Sequence, residues 1–186
     1  MLTSTLGEIN LVYAVIFITT AISFYTDLVY RKIFNVVTVF GMLSGVGLAV
    51  VNSGFSGFFA ALLGMGAAIL MFGWLFVFRV LGAGDVKLLM ALGALGGARY
   101  CAETAILSLL VAAVIGVVQL VLLGKFSVFL RKLKRLFVSV LVRGMSIEMP
   151  QVDQSVKMPF GVAIGVASIW LIVESPFVRW GIELWH

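Results

Sequence analysis

The chain has 186 residues, of which 62% are hydrophobic and only 11% are charged. Soluble domains are about half apolar and a quarter charged, so this composition excludes an ordinary soluble domain and indicates an integral membrane protein. The formal net charge of +5 suggests basic cytoplasmic loops before it suggests nucleic acid, which we do not expect as a partner. We expect one membrane-embedded domain over residues 1–186, because a bundle of this size leaves no segment for a second core.

Six apolar segments predict membrane-spanning helices, each of which needs about 20 residues. In chain order they cover residues 9–26, 34–51, 55–81, 86–98, 102–123 and 159–173. The sequence NSG at residues 52–54 separates the second from the third, and GGARYCAE at residues 96–103 separates the fourth from the fifth. The predicted fold is therefore all-α, a bundle of six transmembrane helices.

The basic residues predict the orientation of this bundle. If both termini are placed outside, all of the 13 lysine and arginine residues except Arg99 and Arg179 fall in inner segments. Cytoplasmic loops carry such an excess of positive charge. The sequence therefore predicts six crossings with both termini on the outer side.

The longest predicted loop, at residues 124–158, is cytoplasmic in this topology. Its first part reads KFSVFLRKLKRLFVSVLVR, with apolar residues at helical spacing and basic residues mostly on another face. This pattern predicts a basic amphipathic helix on the inner leaflet, between helices five and six. It would serve as an interfacial anchor or as a docking surface for an anionic or membrane-bound partner. The residues expected to contact anionic lipid are Arg131, Lys132, Lys134 and Arg135.

Two acidic residues stand at predicted membrane boundaries. Asp27 closes the first helix, and Asp85 opens the fourth in the sequence GAGD, after Gly82 and Gly84. An acidic residue at membrane depth is costly and marks a candidate functional site. The fourth segment covers only about 20 Å, so either the bilayer thins there or the turn before it lies below the membrane surface.

The number of crossings places these residues on one side. Two helices separate Asp27 from Asp85, so both carboxylates return to the cytoplasmic edge. Two more crossings bring the last motif to the same edge, and this motif consists of Pro159, Phe160 and Gly161. The proline and the glycine are expected to open or kink the start of helix six beside the site.

Two facing carboxylates can share one proton, because like charges a few Å apart do not both ionise easily. The protonated group polarises a peptide carbonyl, and the ionised group takes a proton from an attacking water. This chemistry needs no metal or cofactor, and we expect neither. Gly82 and Gly84 would permit a tight turn and the close approach of an extended substrate backbone.

Structural interpretations of these residues remain open. Asp27 and Arg31 would form an ordinary ion pair if the first helix continued, and Asp85 could be a simple N-cap. We interpret two glycine patches, at residues 41–47 and 62–68, as helix-packing faces.

Three motifs together resemble those of type IV prepilin peptidases. GAGD followed by VKLL resembles the GxGD signature of that family, and DLVYRKIFN at residues 27–35 resembles its motif of an Asp, a basic pair, Ile-Pro and Asn. PFG at residues 159–161 resembles its Pro-x-Gly segment. The resemblance covers nearly the whole chain, although Phe34 stands where the family usually has proline.

This resemblance implies an aspartic endopeptidase of the bacterial inner membrane. Such enzymes cut the leader from prepilins and pseudopilins at the cytoplasmic face, typically after a glycine. The catalytic residues would be Asp27 and Asp85. The other positions that match the family motifs are Gly82, Gly84, Lys87, Arg31 and Asn35.

The short first loop implies a particular branch of the family. Larger members carry a cytoplasmic domain with two Cys-x-x-Cys pairs there and also methylate the new N-terminus, whereas this loop has no cysteine. We expect cleavage without methylation and no zinc-binding or methyltransferase domain, as in tight-adherence (Flp) pilus peptidases, with archaeal preflagellin peptidases still possible. The alternatives are a small proton-coupled transporter, a noncatalytic membrane scaffold, or cleavage of another class of membrane protein.

Overall fold

A computed structural model describes residues 2–78, 80–131, 134 and 160–173, with side chains from residue 11 onward. Its helices are α1 (Leu2–Tyr30), α2 (Asn35–Val77), α3 (Ala83–Leu122) and α4 (Phe160–Val173). No strand occurs among the described residues, which confirms the all-α prediction for this part of the chain.

Three of the described helices are long and apolar enough to cross a membrane, so the protein is an integral membrane protein. They cover Leu11–Tyr30, Asn35–Val77 and Ala83–Leu122, and α4 is a shorter apolar helix. The number of crossings and the orientation stay predictions.

The two longest helices are broken at glycines. The backbone leaves helical geometry at Gly54 (φ 60°, ψ −136°) in α2 and at Gly97 (φ 80°, ψ 178°) in α3. Glycine adopts such angles readily because it has no Cβ. Both breaks fall in the segments that the sequence predicts as turns, at residues 52–54 and 96–103.

Contacts across each break show that the chain reverses there. A Cβ on Gly57 would meet the carbonyl group of Ala49. The Cys101 thiol donates a hydrogen bond to the Leu89 carbonyl at 3.6 Å, although these residues would lie about 18 Å apart along a straight helix. Each of α2 and α3 is therefore a pair of helical segments folded back on each other.

The glycine patches pack against neighbouring helices, as predicted. A Cβ on Gly45 would lie 2.8 Å from the Ala94 Cβ, and a Cβ on Gly64 would meet the backbone of Gly93. Small residues let helix backbones approach closely in membrane proteins. The two segments of α2 thereby pack on the same part of α3.

Helix α4 packs against α1 and α3. A Cβ on Gly165 would lie 2.9 Å from the Phe24 ring. The Ser168 hydroxyl lies 3.4 Å from the Thr20 hydroxyl and 2.7 Å from the Tyr100 hydroxyl. These contacts hold the first, third and fourth helices together along one buried seam.

The chain divides into two compact units. The first contains Met1–Val111 and Pro159–His186, and the second contains Ala112–Met158. The candidate site described below lies wholly in the first unit. The expected single domain stays a prediction.

The predicted amphipathic helix is described only in its first part, where residues 126–131 are helical. Lys132 and Arg135 lie outside the described residues. Arg131 and Lys134 are exposed. The rest of this helix and its contact with lipid stay predictions.

Candidate active site

Asp27 lies in the last turn of α1, with 6% of its surface exposed. The helix continues to Tyr30, four residues beyond the predicted end. One carboxylate oxygen, Oδ2, accepts a hydrogen bond from the Val162 N–H at 3.1 Å, and the Gly161 N–H donates to the same carboxylate. The first N–H groups of a helix have no partner within it and carry partial positive charge. Asp27 therefore caps the start of α4 from another helix.

Arg31 does not form the ion pair with Asp27 that a continuing first helix would allow. Arg31 has a positive φ of 50°, and its N–H donates to the Asp27 carbonyl at 2.9 Å. The helix therefore does not continue past Tyr30, and the described contacts include no salt bridge between the two side chains. The Arg31 charge still acts on the carboxylate from outside. The interpretation of Asp27 as half of an ion pair within a continuing helix is wrong.

Asp85 lies in the first turn of α3, which begins at Ala83, three residues before the predicted start. Its Oδ2 accepts a hydrogen bond from the Gly82 N–H at 3.1 Å. An acidic side chain at the third helical position that reaches back to the cap residue is one half of a capping box. Asp85 is thus not itself the N-cap, and its carboxylate lies at the positive end of α3.

The two carboxylates come from helices far apart in sequence and lie on either side of Ile33. Ile33 connects the two sides, because a Cβ on Gly84 would lie 3.1 Å from the Ile33 Cβ and a Cβ on Gly161 would lie 2.8 Å from the Ile33 Cδ1. Sequence reasoning did not single out Ile33, although it is the apolar residue that follows the basic pair in the first motif.

The glycines of GAGD make room for the protein itself. A Cβ on Gly82 would lie 3.1 Å from Oδ2 of Asp85, and Gly84 faces Ile33. Gly161 is tighter, since its Cβ would lie 2.8 Å from Oδ2 of Asp27. Gly82 and Gly161 therefore lie against the Asp85 and Asp27 carboxylates, and Gly84 lies against Ile33. Their predicted role in admitting a substrate backbone stays a prediction.

Lys87 and Asn35 join two helices beside the site. The Lys87 ammonium group donates to Oδ1 of Asn35 at 3.1 Å. Asn35 is the first residue of α2, and Lys87 lies in the second turn of α3. This bond fixes the start of α2 to α3, so both motif residues are placed near the carboxylates by the fold.

Phe34 occupies the N-cap position of α2 with φ −75° and ψ 131°. Proline requires φ near −65°, so the backbone here adopts a conformation that proline would also adopt. The departure from the family motif therefore leaves the local bend intact. The Phe160 ring is buried against Phe72, with ring centroids 6.1 Å apart, and Pro159 lies outside the described residues.

In the part of the chain that the structure describes, no three histidine, cysteine or carboxylate side chains converge as ligands for a metal ion. The chemistry available at the site is that of two carboxylates. The Asp27 side chain is almost fully buried, and the Asp85 side chain is half-buried. Such a pair can exchange protons with a bound peptide and a water, or can act only as two helix caps.

The described residues define an integral membrane protein whose described secondary structure is helical, with two carboxylates held at helix starts. The model of the type IV leader peptidase family matches residues 14–120, more than half of the chain, and the chain belongs to this family. No curated protein and no solved structure matches the chain. The family match confirms the family resemblance and covers the motifs that contain Asp27 and Asp85, whereas PFG at residues 159–161 lies outside the matched range.

Proposed function

We propose that the protein cleaves the leader of prepilins or pseudopilins, with Asp27 and Asp85 as a general acid–base pair. The observation that carries this proposal is that both carboxylates accept N–H groups at helix starts on either side of Ile33, in one compact unit of a leader peptidase family member. Neither residue is needed to neutralise a basic partner within the described contacts. Each is instead held through one oxygen by backbone N–H groups at a helix start.

In the proposed reaction, one carboxyl group is protonated and donates a hydrogen bond to the carbonyl of the scissile peptide. The ionised carboxylate takes a proton from a water as the water oxygen attacks the carbonyl carbon. A proton then passes to the leaving nitrogen as the C–N bond breaks. The starts of α3 and α4 stabilise negative charge on the carboxylates throughout these reaction steps.

We further propose the topology and the branch expected from the sequence. The site would lie at the cytoplasmic edge of a bacterial inner membrane, with six crossings and both termini in the periplasm. The connection between α1 and α2 is only residues 31–34, which supports cleavage without methylation, because it leaves no space for a cysteine-bearing domain there. The basic residues Arg131, Lys132, Lys134 and Arg135 would contact the anionic inner leaflet.

The test is cleavage of a tagged prepilin in vesicles that contain the wild-type chain, Asp27→Asn or Asp85→Asn. Asparagine still accepts a backbone hydrogen bond, so both caps persist while the acid–base function is lost. We expect each substitution to lower kcat by about 10²–10⁴-fold. Mass spectrometry of the mature N-terminus would show whether a methyl group is added.

Glu103→Gln is the matched control. Glu103 is as buried as Asp27, at 6% exposure, but its carboxylate pairs with Arg99 at 2.9 Å. We expect this variant to cleave at close to the wild-type rate. Normal cleavage by either aspartate variant would refute the acid–base proposal. Loss of function on charge reversal of the basic loop alone would favour a scaffold, and proton flux that requires both aspartates would favour a transporter.

A further inference from the structure

Ile33 is a buried residue in an otherwise exposed connection. The four residues 31–34 join α1 to α2 without helical structure. Ile33 is only 7% exposed, whereas Arg31, Lys32 and Phe34 are all exposed. The connection therefore directs one side chain inward, into the space between the starts of α3 and α4.

The two ends of this side chain contact different helices. A Cβ on Gly84 would lie 3.1 Å from the Ile33 Cβ, so this end of the side chain touches α3 immediately before Asp85. A Cβ on Gly161 would lie 2.8 Å from the Ile33 Cδ1. This other end of the side chain therefore touches the part of α4 whose backbone N–H groups donate hydrogen bonds to Asp27. Because Gly84 and Gly161 have no side chains, they could not fill the space left if the Ile33 side chain were shortened.

We infer that Ile33 is a positioning residue that sets the spacing between the starts of α3 and α4, and with it the spacing of the Asp27 and Asp85 carboxylates. The inference rests on the proposed function. Protein interiors are close-packed, so a buried branched side chain resists compression between two backbones. Acid–base catalysis is sensitive to displacements of about 1 Å, which can lower a rate by roughly 10²-fold.

Ile33→Val removes one of the two contacts and keeps the other. Valine keeps the Cβ that faces Gly84 but lacks the Cδ1 that faces Gly161, so α4 alone loses its support. The carboxylates remain present and chemically unchanged. We expect kcat to fall about tenfold with KM within about twofold, since the substitution misplaces catalytic groups and removes no substrate contact.

Ile16→Val is the matched control. Ile16 lies in α1 with 0% exposure, so the same methyl group is removed from an equally buried site. We expect both variants to lower the melting temperature in detergent, whereas only Ile33→Val lowers kcat and alters the pH–rate profile of cleavage. Ile33→Leu, which retains a δ-methyl group and the side-chain volume, should restore most of kcat.

Equal kcat values and unchanged pH profiles for the two valine variants would overturn the inference. If Ile33→Val does not fold, Gly84→Ala, which presses on the Ile33 Cβ, takes its place in the same comparison. Inactive aspartate variants together with a normal Ile33→Val enzyme would leave the proposed function standing and the positioning role refuted. A wild-type chain that does not cleave prepilin would overturn both.

Discussion

Gly161→Ala tests the contact between α4 and the Asp27 carboxylate. The new Cβ would lie 2.8 Å from Oδ2 and 3.0 Å from Cγ of Asp27, and 2.8 Å from Cδ1 of Ile33. Non-bonded carbon atoms prefer about 3.5–4.0 Å, so these groups must move by roughly 0.5–1 Å. The hydrogen bond from Val162, now 3.1 Å, would then be lengthened or lost.

The expected magnitudes follow from two opposing effects. Overpacking a well-packed site costs about 1–3 kcal/mol. Replacing glycine by alanine within a helix returns about 0.5–1 kcal/mol. We therefore expect a loss of roughly 0–2.5 kcal/mol in the free energy of unfolding. Because the displaced group is a proposed catalytic carboxylate, we expect kcat to fall by about 10²-fold.

The assay is prepilin cleavage at saturating substrate, with thermal unfolding in detergent measured in parallel. Gly165→Ala is the matched control in the same helix, because its Cβ would lie 2.9 Å from the Phe24 ring and away from either carboxylate. It should lower stability by a similar amount and leave kcat within about threefold. If folded Gly161→Ala retained wild-type kcat, the reasoning that places Asp27 against α4 in the active enzyme would be refuted.

Two further predictions concern the fold. Gly64→Ala should lower the free energy of unfolding by about 1–3 kcal/mol, because its Cβ meets the Gly93 backbone, whereas Gly66→Ala, with no described atom within 4 Å, should be neutral or slightly stabilising. Equal melting temperatures for the two variants would contradict the packing described. Arg31→Gly should raise stability by about 1 kcal/mol, because φ 50° is strained for arginine, and an unchanged or lower melting temperature would show that its side chain stabilises the turn.

The sequence predicted the parts of the fold that depend on local pattern. Apolar runs located the helices, and turn signals located both reversals, at Gly54 and Gly97. Counting crossings predicted that Asp27 and Asp85 lie at the same edge of the membrane, because parity depends only on the number of helices between them, and this stays a prediction. The helix ends were less accurate, since α1 runs to Tyr30 and α3 starts at Ala83.

The details of the site could not be predicted in the same way. The cap that Asp27 provides for α4 joins residues 135 positions apart, and the bond between Lys87 and Asn35 spans 52 positions. Such contacts depend on how whole helices pack, and periodicity carries no information about them. Ile33 illustrates the same limit, because one isoleucine in a basic connection gives no local signal that it is buried between two helix starts.

The bond between α1 and the start of α4 also bears on biosynthesis. Asp27 is made early in translation, but the N–H groups that hold its carboxylate belong to a helix that begins at Phe160. A nascent chain that has inserted α1, α2 and α3 already contains both aspartates, yet one of them has no partner at a helix start. The hydrogen bonds that hold the Asp27 carboxylate can therefore form only after the last described helix has been synthesised.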